Sequence, residues 1–315
     1  MTVLLSHSDL VSLLDLDACV KGLHDGFTAV PAGIDAQRVR SGLPGPGTAT
    51  VLIPGLVTDI PAYTVKTNAK FPASRPALRG VICLYDVASG ELLAVLDSAT
   101  VTAWRTGLAA AIATDVLARP GAGTVAVIGA GAQAELVVRG LTSLRPIERL
   151  LVCDLDPVRT RSFAEQYGTG RQVQVAADAR AAAREADIVI LATWSRVPLL
   201  DSGDVSPGAH ITSLGADEPG KAELSGELLG SARVVVDDTR LALDSGALGT
   251  AGLGEQDVAG ELGDVLSGRI PGRTSDGEIT VYTPVGLPWQ DLVVSWIAFQ
   301  RAVQAGIGLS FDFLA

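Results

Sequence analysis

The run Val125-Ala126-Val127-Ile128-Gly129-Ala130-Gly131-Ala132-Gln133-Ala134 constrains this chain more than any other stretch. An apolar, strand-like run ends at Gly129, and a helix-like stretch, residues 135–141, follows it. A second apolar run, residues 150–153, closes on Asp154, about 25 positions after Gly129. Gly129 permits a tight turn. Gly131 has no side chain to keep a pyrophosphate from the helix N-terminus, and Ala132 to Ala134 hold the helix close to the sheet. Asp154 stands near the place where an acid binds a ribose hydroxyl. The glycines alone say little. Set between two strand-like runs with a terminal acid, they predict a site for a nicotinamide dinucleotide.

The same alternation of strand and helix continues. Strands are predicted at 125–128, 150–154, 173–175, 188–192, 210–213 and 234–236, with an Ala-rich helix surface at 176–186. This is the pattern of a doubly wound parallel sheet, a Rossmann fold in the α/β class. What precedes it differs. Residues 10–30 predict an amphipathic helix with Leu13, Leu14, Ala18, Leu23 and Phe27 on its apolar face. A Gly/Pro turn at 42–47 leads to strands at 50–53, 62–66, 81–86 and 92–97, the last two joined by a hairpin turn at Ser89-Gly90. A long Ala-rich helix, 100–117, ends before Arg119-Pro120. A last helix, 292–306, follows a Pro-rich turn and is expected to return to the first domain. The predicted organisation is a Rossmann domain, 120–290, inserted in an α+β domain formed by 1–119 plus 291–315.

Composition narrows the class. A net charge of −11 argues against nucleic acid as a partner. Apolar runs fall short of the roughly 18 residues of a membrane span, and residues 1–10 carry no signal-like core, so a cytoplasmic protein is expected. Cys19, Cys83 and Cys153 are scattered, as in a reducing compartment. His7, His24 and His210 are too dispersed for a metal site or a Ser-His-Asp system, so no metal is expected.

Several charged residues sit in apolar surroundings. Lys66 ends the run Ala62-Tyr63-Thr64-Val65-Lys66, and Arg105 interrupts the Ala-rich helix beside Trp104. Arg38 lies in a short basic stretch with Arg40. Such cations fit a structural salt bridge, a solvated arginine or a clamp on a substrate carboxylate, which the fork of Arg suits. Asp217 follows the strand at 210–213, where ligands of a doubly wound sheet bind, and fits either an acid/base or a turn carboxylate. Lys221 and Glu223 read as ordinary first-turn residues. The stretch Tyr282-Thr283-Pro284-Val285-Gly286-Leu287-Pro288 reads by itself as a loop.

Four ordered blocks resemble the ornithine cyclodeaminase/mu-crystallin family. They are Thr102-Ala103-Trp104-Arg105-Thr106-Gly107, Gly129-Ala130-Gly131-Ala132-Gln133, Gly215-Ala216-Asp217-Glu218-Pro219-Gly220-Lys221-Ala222-Glu223-Leu224, and the C-terminal Gly277–Val281, Val285–Leu287 and Gln290–Leu292 segments. The resemblance implies that the first domain, with the final helix, binds substrate and forms a homodimer. It implies chemistry that interconverts an α-amino acid and its imine through nicotinamide. By position, Arg38 and Lys66 would engage the substrate carboxylate, with Lys66 also in proton transfer. Arg105 would stand near cofactor phosphate and substrate, and Val285 would line the substrate. Gly129, Gly131, Ala132, Gln133, Asp154 and Thr193 would hold the dinucleotide. Asp217 would be the acid/base that handles water or ammonia.

Two departures stand out. Ornithine-specific members carry a glutamate for the distal ammonium, and Val51 is the residue nearest that place. An apolar residue cannot offset desolvation of an ammonium. The usual serine of the C-terminal turn is Pro284, which lacks a hydroxyl and an N–H. The expected activity is therefore an NAD-dependent oxidoreductase acting on a small amino or imino acid. It is either alanine dehydrogenase-like or a cyclic imine carboxylate reductase. The alternatives are an ornithine or lysine cyclodeaminase with internal NAD recycling, and an NAD(P)H-retaining small-ligand binding protein of the mu-crystallin type. Asp154 and Asp156 favour NAD by repelling a 2′-phosphate, while Arg159 and Arg161 leave NADP open.

Overall fold

Period-two patterning in the first third of the chain builds a seven-stranded sheet. It is seen in a computed structural model that describes residues 1–29, 35–44, 47–71, 73–313 and 315. Val30 of the expected first helix, Gly45 and Pro46 of the expected turn, and Pro72 lie outside the described residues. The strands are β1 (Thr2–Leu5), β2 (Gln37–Gly42), β3 (Thr48–Gly55), β4 (Ala62–Lys70), β5 (Leu78–Asp86), β6 (Leu92–Asp97) and a terminal strand Leu309–Phe311. Their order is terminal strand, β1, β6, β5, β4, β3, β2. From β2 to β6 they form an antiparallel meander, and β1 joins β6 in parallel.

The four expected strands are present: the first three are longer than predicted, and the fourth, Leu92–Asp97, has the predicted bounds. The sequence reading missed β1, β2 and the terminal strand. β2 reads Gln-Arg-Val-Arg-Ser-Gly and is mostly exposed, so it is a strand through its pairing with β3 rather than through its own apolar content. The expected single helix is two, α1 (His7–Leu13) and α2 (Leu16–Thr28). Asp15 divides them, because its side chain accepts from the Ala18 N–H and caps a new helix. Helix α3 (Ser98–Leu117) follows β6, and a terminal helix, Pro288–Ala305, packs on α2, β3 and β4. Phe27 and Trp289 meet edge to face there at 4.9 Å.

The second sheet has eight strands, all parallel. It comprises β7 (Thr124–Ile128), β8 (Arg149–Cys153), β9 (Gln172–Val175), β10 (Ile188–Leu191), β12 (His210–Ser213), β14 (Arg233–Val236), β15 (Val258–Glu261) and β16 (Thr280–Tyr282). Two more strands, β11 (Arg196–Leu200) and β13 (Ala222–Leu224), pair with each other. The order β15-β14-β16-β12-β10-β7-β8-β9 turns back between β7 and β10, the switch point of a doubly wound fold. Helix α4 (Ala132–Leu144) links β7 to β8.

The chain divides into two compact units, Met1–Thr106 with Leu287–Ala315, and Gly107–Gly286. The expected divisions at 119/120 and 290/291 fall later than these. Ala110, Ala111 and Ala118 belong to the core of Val125, Val127, Val137, Val138 and Leu141, so the second half of α3 is part of the dinucleotide-type unit. Residues 287–290 open the terminal helix of the other unit.

A polar chain crosses the core of the second unit. Fully buried His210 contacts Thr280 Oγ1 through Nδ1 and Thr212 Oγ1 through Nε2, each at 2.9 Å. Thr212 in turn contacts Thr114 Oγ1 at 2.7 Å, and Thr114 donates to the Ala110 carbonyl. Among the described residues, no helix is long and apolar enough to cross a membrane, and no cluster of His, Cys, Asp and Glu is arranged to hold a metal.

Candidate functional site

In the first unit, strand alternation turns polar residues inward. On β4, Ala62, Thr64, Lys66 and Asn68 are buried, while Tyr63 and Val65 are only partly so. Tyr63 instead stacks on Tyr85 at 5.1 Å. A strand that buries Lys and Asn in place of its Tyr and Val pays in stability for something other than packing. Directly opposed residues of antiparallel strands share a face, so Arg38, Leu52, Lys66, Ile82 and Leu96 form one cross-strand row.

Two helices complete this cluster. Asp97 accepts from the Thr100 N–H and hydroxyl, which fixes the start of α3. One turn on, α3 presents Thr102 and Arg105. The first turn of the terminal helix presents Gln290 and Asp291. Lys66 Nζ donates to Asp291 Oδ2 at 2.6 Å and to Thr102 Oγ1 at 3.4 Å. Arg105 Nε stands 3.4 Å from Asp291 Oδ1, and its Nη1 donates to Gln290 Oε1 at 3.1 Å. Lys66 and Asp291 are 2% and 1% exposed, so this ion pair is sealed from water. Burial pulls the Lys66 ammonium down to about 8, Asp291 pushes it back up, and Arg105 and Arg38 add to the downward pull. Two cations thus share one buried carboxylate, which leaves an excess positive charge for an anion to balance.

In the second unit, the glycine turn fits a dinucleotide. Gly129 has φ +92°, and a Cβ on it would lie 2.5 Å from the Ala192 carbonyl oxygen. Gly131 caps α4 with no side-chain hydrogen bond, and a Cβ there would meet open space. The first N–H groups of this 13-residue helix therefore face a cradle without a side chain in it. Ala132 is exposed and Gln133 partly so at the same turn. Asp154 closes the cradle: its Oδ2 accepts from the Ala130 N–H and its Oδ1 from the Asp156 N–H, both at 2.8 Å. Arg159 Nη1 lies 3.6 Å from it.

Further along the carboxyl edge, Thr193 follows β10. Its N–H and hydroxyl both donate to Glu223 Oε1 at 2.7 Å, and its Oγ1 accepts from the Ser195 N–H. The hydroxyl is thus held in place by contacts within the protein. Asp217 follows β12, and Lys221 Nζ reaches its Oδ1 at 3.0 Å and Glu218 Oε1 at 2.9 Å. Lys221 also lies 4.6 Å from the ring centre of Trp194. Val285 is buried, and its N–H donates to Asp237 Oδ1 at 3.0 Å. The next N–H, Gly286, donates to Asp237 Oδ2 at 2.6 Å. The backbone turn around Pro284 is thus held by a carboxylate, and Thr283 beside it has a buried hydroxyl with no hydrogen-bond partner among the described residues.

Two expectations need correction. Val51 is paired with Val39 and Thr67, in the row next to that of Lys66, and neighbouring rows point to opposite faces. The apolar residue that shares a face with Arg38 and Lys66 is Leu52, 6% exposed. Lys221 and Glu223 are not first-turn residues: Lys221 is buried between two acids, and Glu223 is fully buried on β13. The reading also gave no role to Asp291, Gln290 or Asp237. The signal for Asp291 was its place directly before the apolar run Leu292-Val293-Val294, where a carboxylate is buried unless the helix turns it to water.

The comparisons agree with this geometry. The profile of the Ornithine cyclodeaminase/mu-crystallin family matches residues 2–306. The chain is 32% identical over 289 residues to a Delta(1)-pyrroline-2-carboxylate reductase of Bacillus cereus, covering 87% of this chain and 89% of that protein. The solved structure of an archaeal alanine dehydrogenase dimer with bound NAD superposes with a TM-score of 0.92, at 29% identity and 99% coverage of both chains. The Thermococcus litoralis Delta(1)-pyrroline-2-carboxylate reductase, in complex with NADH and L-proline, gives 0.90 at 28% identity, covering 98% of this chain and 100% of that one. The four sequence blocks, the doubly wound sheet and the match along nearly the whole length agree, and the chain belongs to the ornithine cyclodeaminase/mu-crystallin family.

Proposed function

We propose that this chain is an NAD-dependent oxidoreductase that interconverts a small L-α-amino acid and its imino or keto acid. The chemistry is that of an alanine dehydrogenase or a cyclic imine carboxylate reductase. The observation that carries this reading is the Lys66–Asp291–Arg105 cluster. A buried lysine and a largely buried arginine on one carboxylate carry a net positive charge, and a substrate carboxylate is an anion that balances it. Arg105 and Arg38 bring the planar fork that grips it.

Bound nicotinamide supplies the site that accepts or donates hydride. Gly129, Gly131, Ala132, Gln133 and Asp154 are the residues that would hold the dinucleotide, with Asp154 selecting NAD. Lys66, with its ammonium drawn down to about 8, is protonated at neutral pH and close to its release point, which suits an acid that gives up a proton during turnover. Asp217, an acid at the carboxyl side of β12, exchanges a proton with water or ammonia. Leu52 on the Lys66 face offers nothing to a distal ammonium, which supports a small, apolar or cyclic substrate over ornithine. Asp217 also favours a second reading, a redox-neutral cyclodeaminase. The archaeal alanine dehydrogenase is a dimer, and we extend a homodimer to this chain. The three free cysteines support a reducing, cytoplasmic setting.

The test is an absorbance scan for NADH with NAD⁺ and alanine, proline, ornithine or lysine, with ammonia followed in parallel. A second arm uses NADH with a cyclic imine carboxylate. Net NADH change in either arm is the expected result. Ammonia without net NADH installs the cyclodeaminase. Tight NADH binding with silence in both arms installs a small-ligand binding protein.

A further inference from the structure

Glu223 has no part in the chemistry above, yet it gathers a dense set of polar contacts at the carboxyl edge of the second unit. It is fully buried, and its two oxygens accept four hydrogen bonds. Oε1 takes the N–H and hydroxyl of Thr193, each at 2.7 Å. Oε2 takes the Ser213 hydroxyl and the Gly215 N–H, each at 2.8 Å. Thr193 follows β10, while Ser213 ends β12 and Gly215 follows it, and these two strands are neighbours in the sheet. One carboxylate therefore ties together the segments that leave two adjacent strands.

The surroundings are shaped for it. A Cβ on Gly215 would lie 2.3 Å from the Thr193 carbonyl oxygen and 2.4 Å from Glu223 Oε1, so glycine alone permits this closure. Thr193 donates its hydroxyl proton to Glu223 and accepts from the Ser195 N–H, which fixes the hydroxyl's orientation. Burial pushes the Glu223 carboxyl up from its ordinary range, and its four donors draw it back. All four contacts call for an acceptor. An amide in its place would set N–H against N–H at one oxygen position.

A doubly wound sheet binds its two mononucleotide halves on either side of the switch point. Gly129 and Asp154 build the half on β7 and β8, where the acid marks the adenosine ribose. β10 and β12 lie on the other side of that point. Resting on the dinucleotide reading given above, we propose that Glu223 is a positioning residue for the nicotinamide half of the cofactor. It touches no ligand; it fixes where the chain leaves β10 and β12, against which that half lies.

The test compares NADH with ADP-ribose, which lacks only the nicotinamide. Binding is read by fluorescence energy transfer for NADH and by calorimetry for ADP-ribose, with circular dichroism melts to confirm folding. In Glu223→Gln, NADH is expected to bind about 10-fold or more weakly, with ADP-ribose changed by less than about 2-fold. Ser213→Ala removes one donor and keeps the carboxylate. It is expected to weaken NADH by about 3-fold with ADP-ribose unchanged. Equal loss of both ligands, or no loss of either, overturns the proposal while the dinucleotide reading stands. A wild-type protein that binds neither ligand overturns both.

Discussion

Lys66 and Asp291 lie 225 positions apart in the chain and 2.6 Å apart in the structure. Neither is accessible to water, so each is the other's main source of solvation. Removing one side of such a pair costs about 3–5 kcal/mol when the remaining charge stays buried. Replacing Asp291 by Asn keeps the shape and isolates the charge. Without the carboxylate, burial and Arg105 draw Lys66 below its value of about 8. The alkaline limb of kcat/KM is expected to move to lower pH by about one unit or more in Asp291→Asn. Lys66→Ala is expected to abolish turnover with NADH affinity little changed. A limb that stays in place would remove the Lys66 proton from the rate.

Asp217 is held by Lys221 at 3.0 Å and is partly open to solvent. As an acid/base it is dispensable for cofactor binding. Asp217→Asn is expected to lower turnover by about 100-fold while NADH titrations remain unchanged. Near-normal turnover would take Asp217 out of the mechanism and leave it as a turn carboxylate paired with Lys221.

Asp154 uses both oxygens on backbone N–H groups and has Arg159 beside it at 3.6 Å. Its substitution by Ser removes the charge that repels a 2′-phosphate and releases the arginine. The ratio of NADH to NADPH affinity is expected to fall by about 10-fold or more in Asp154→Ser, measured by titration of both. An unchanged ratio would place cofactor choice elsewhere.

His210 is buried and neutral, its pKa drawn down from 6.5 to about 3 by burial, with Arg273 and Arg145 contributing. The unfolded chain takes up this proton below about pH 6.5 and the folded chain does not. Stability from this residue is therefore complete above pH 6.5 and lost as pH falls toward 3, at up to about 1.4 kcal/mol per pH unit. Urea midpoints at pH 7, 5 and 4 are expected to fall more steeply in the wild type than in His210→Gln.

Local patterns made the second unit legible. Apolar runs such as Val125–Ile128, closed by glycine or acid, are read from neighbours within a few residues, and strands β7, β8, β10, β12 and β14 lie where those runs are. Contacts that join distant segments were not legible. Lys66 was recognisable as a buried cation, but nothing near it in sequence announces Asp291. Glu223 looked ordinary because its four donors come from residues 193 to 215, which only the sheet brings together. Val51 and Leu52 differ by one position, and strand pairing alone decides which of the two faces Lys66.

The first unit is closed by the terminal helix, which carries Asp291, and by the terminal strand, which joins β1. On the ribosome, Lys66 is made 225 residues before its counter-ion. The inserted unit, continuous from Gly107 to Gly286, has all its strands in hand before then. The first unit thus cannot be completed until the inserted unit has been synthesised. Until residue 291 emerges, Lys66 has no Asp291 carboxylate to meet it.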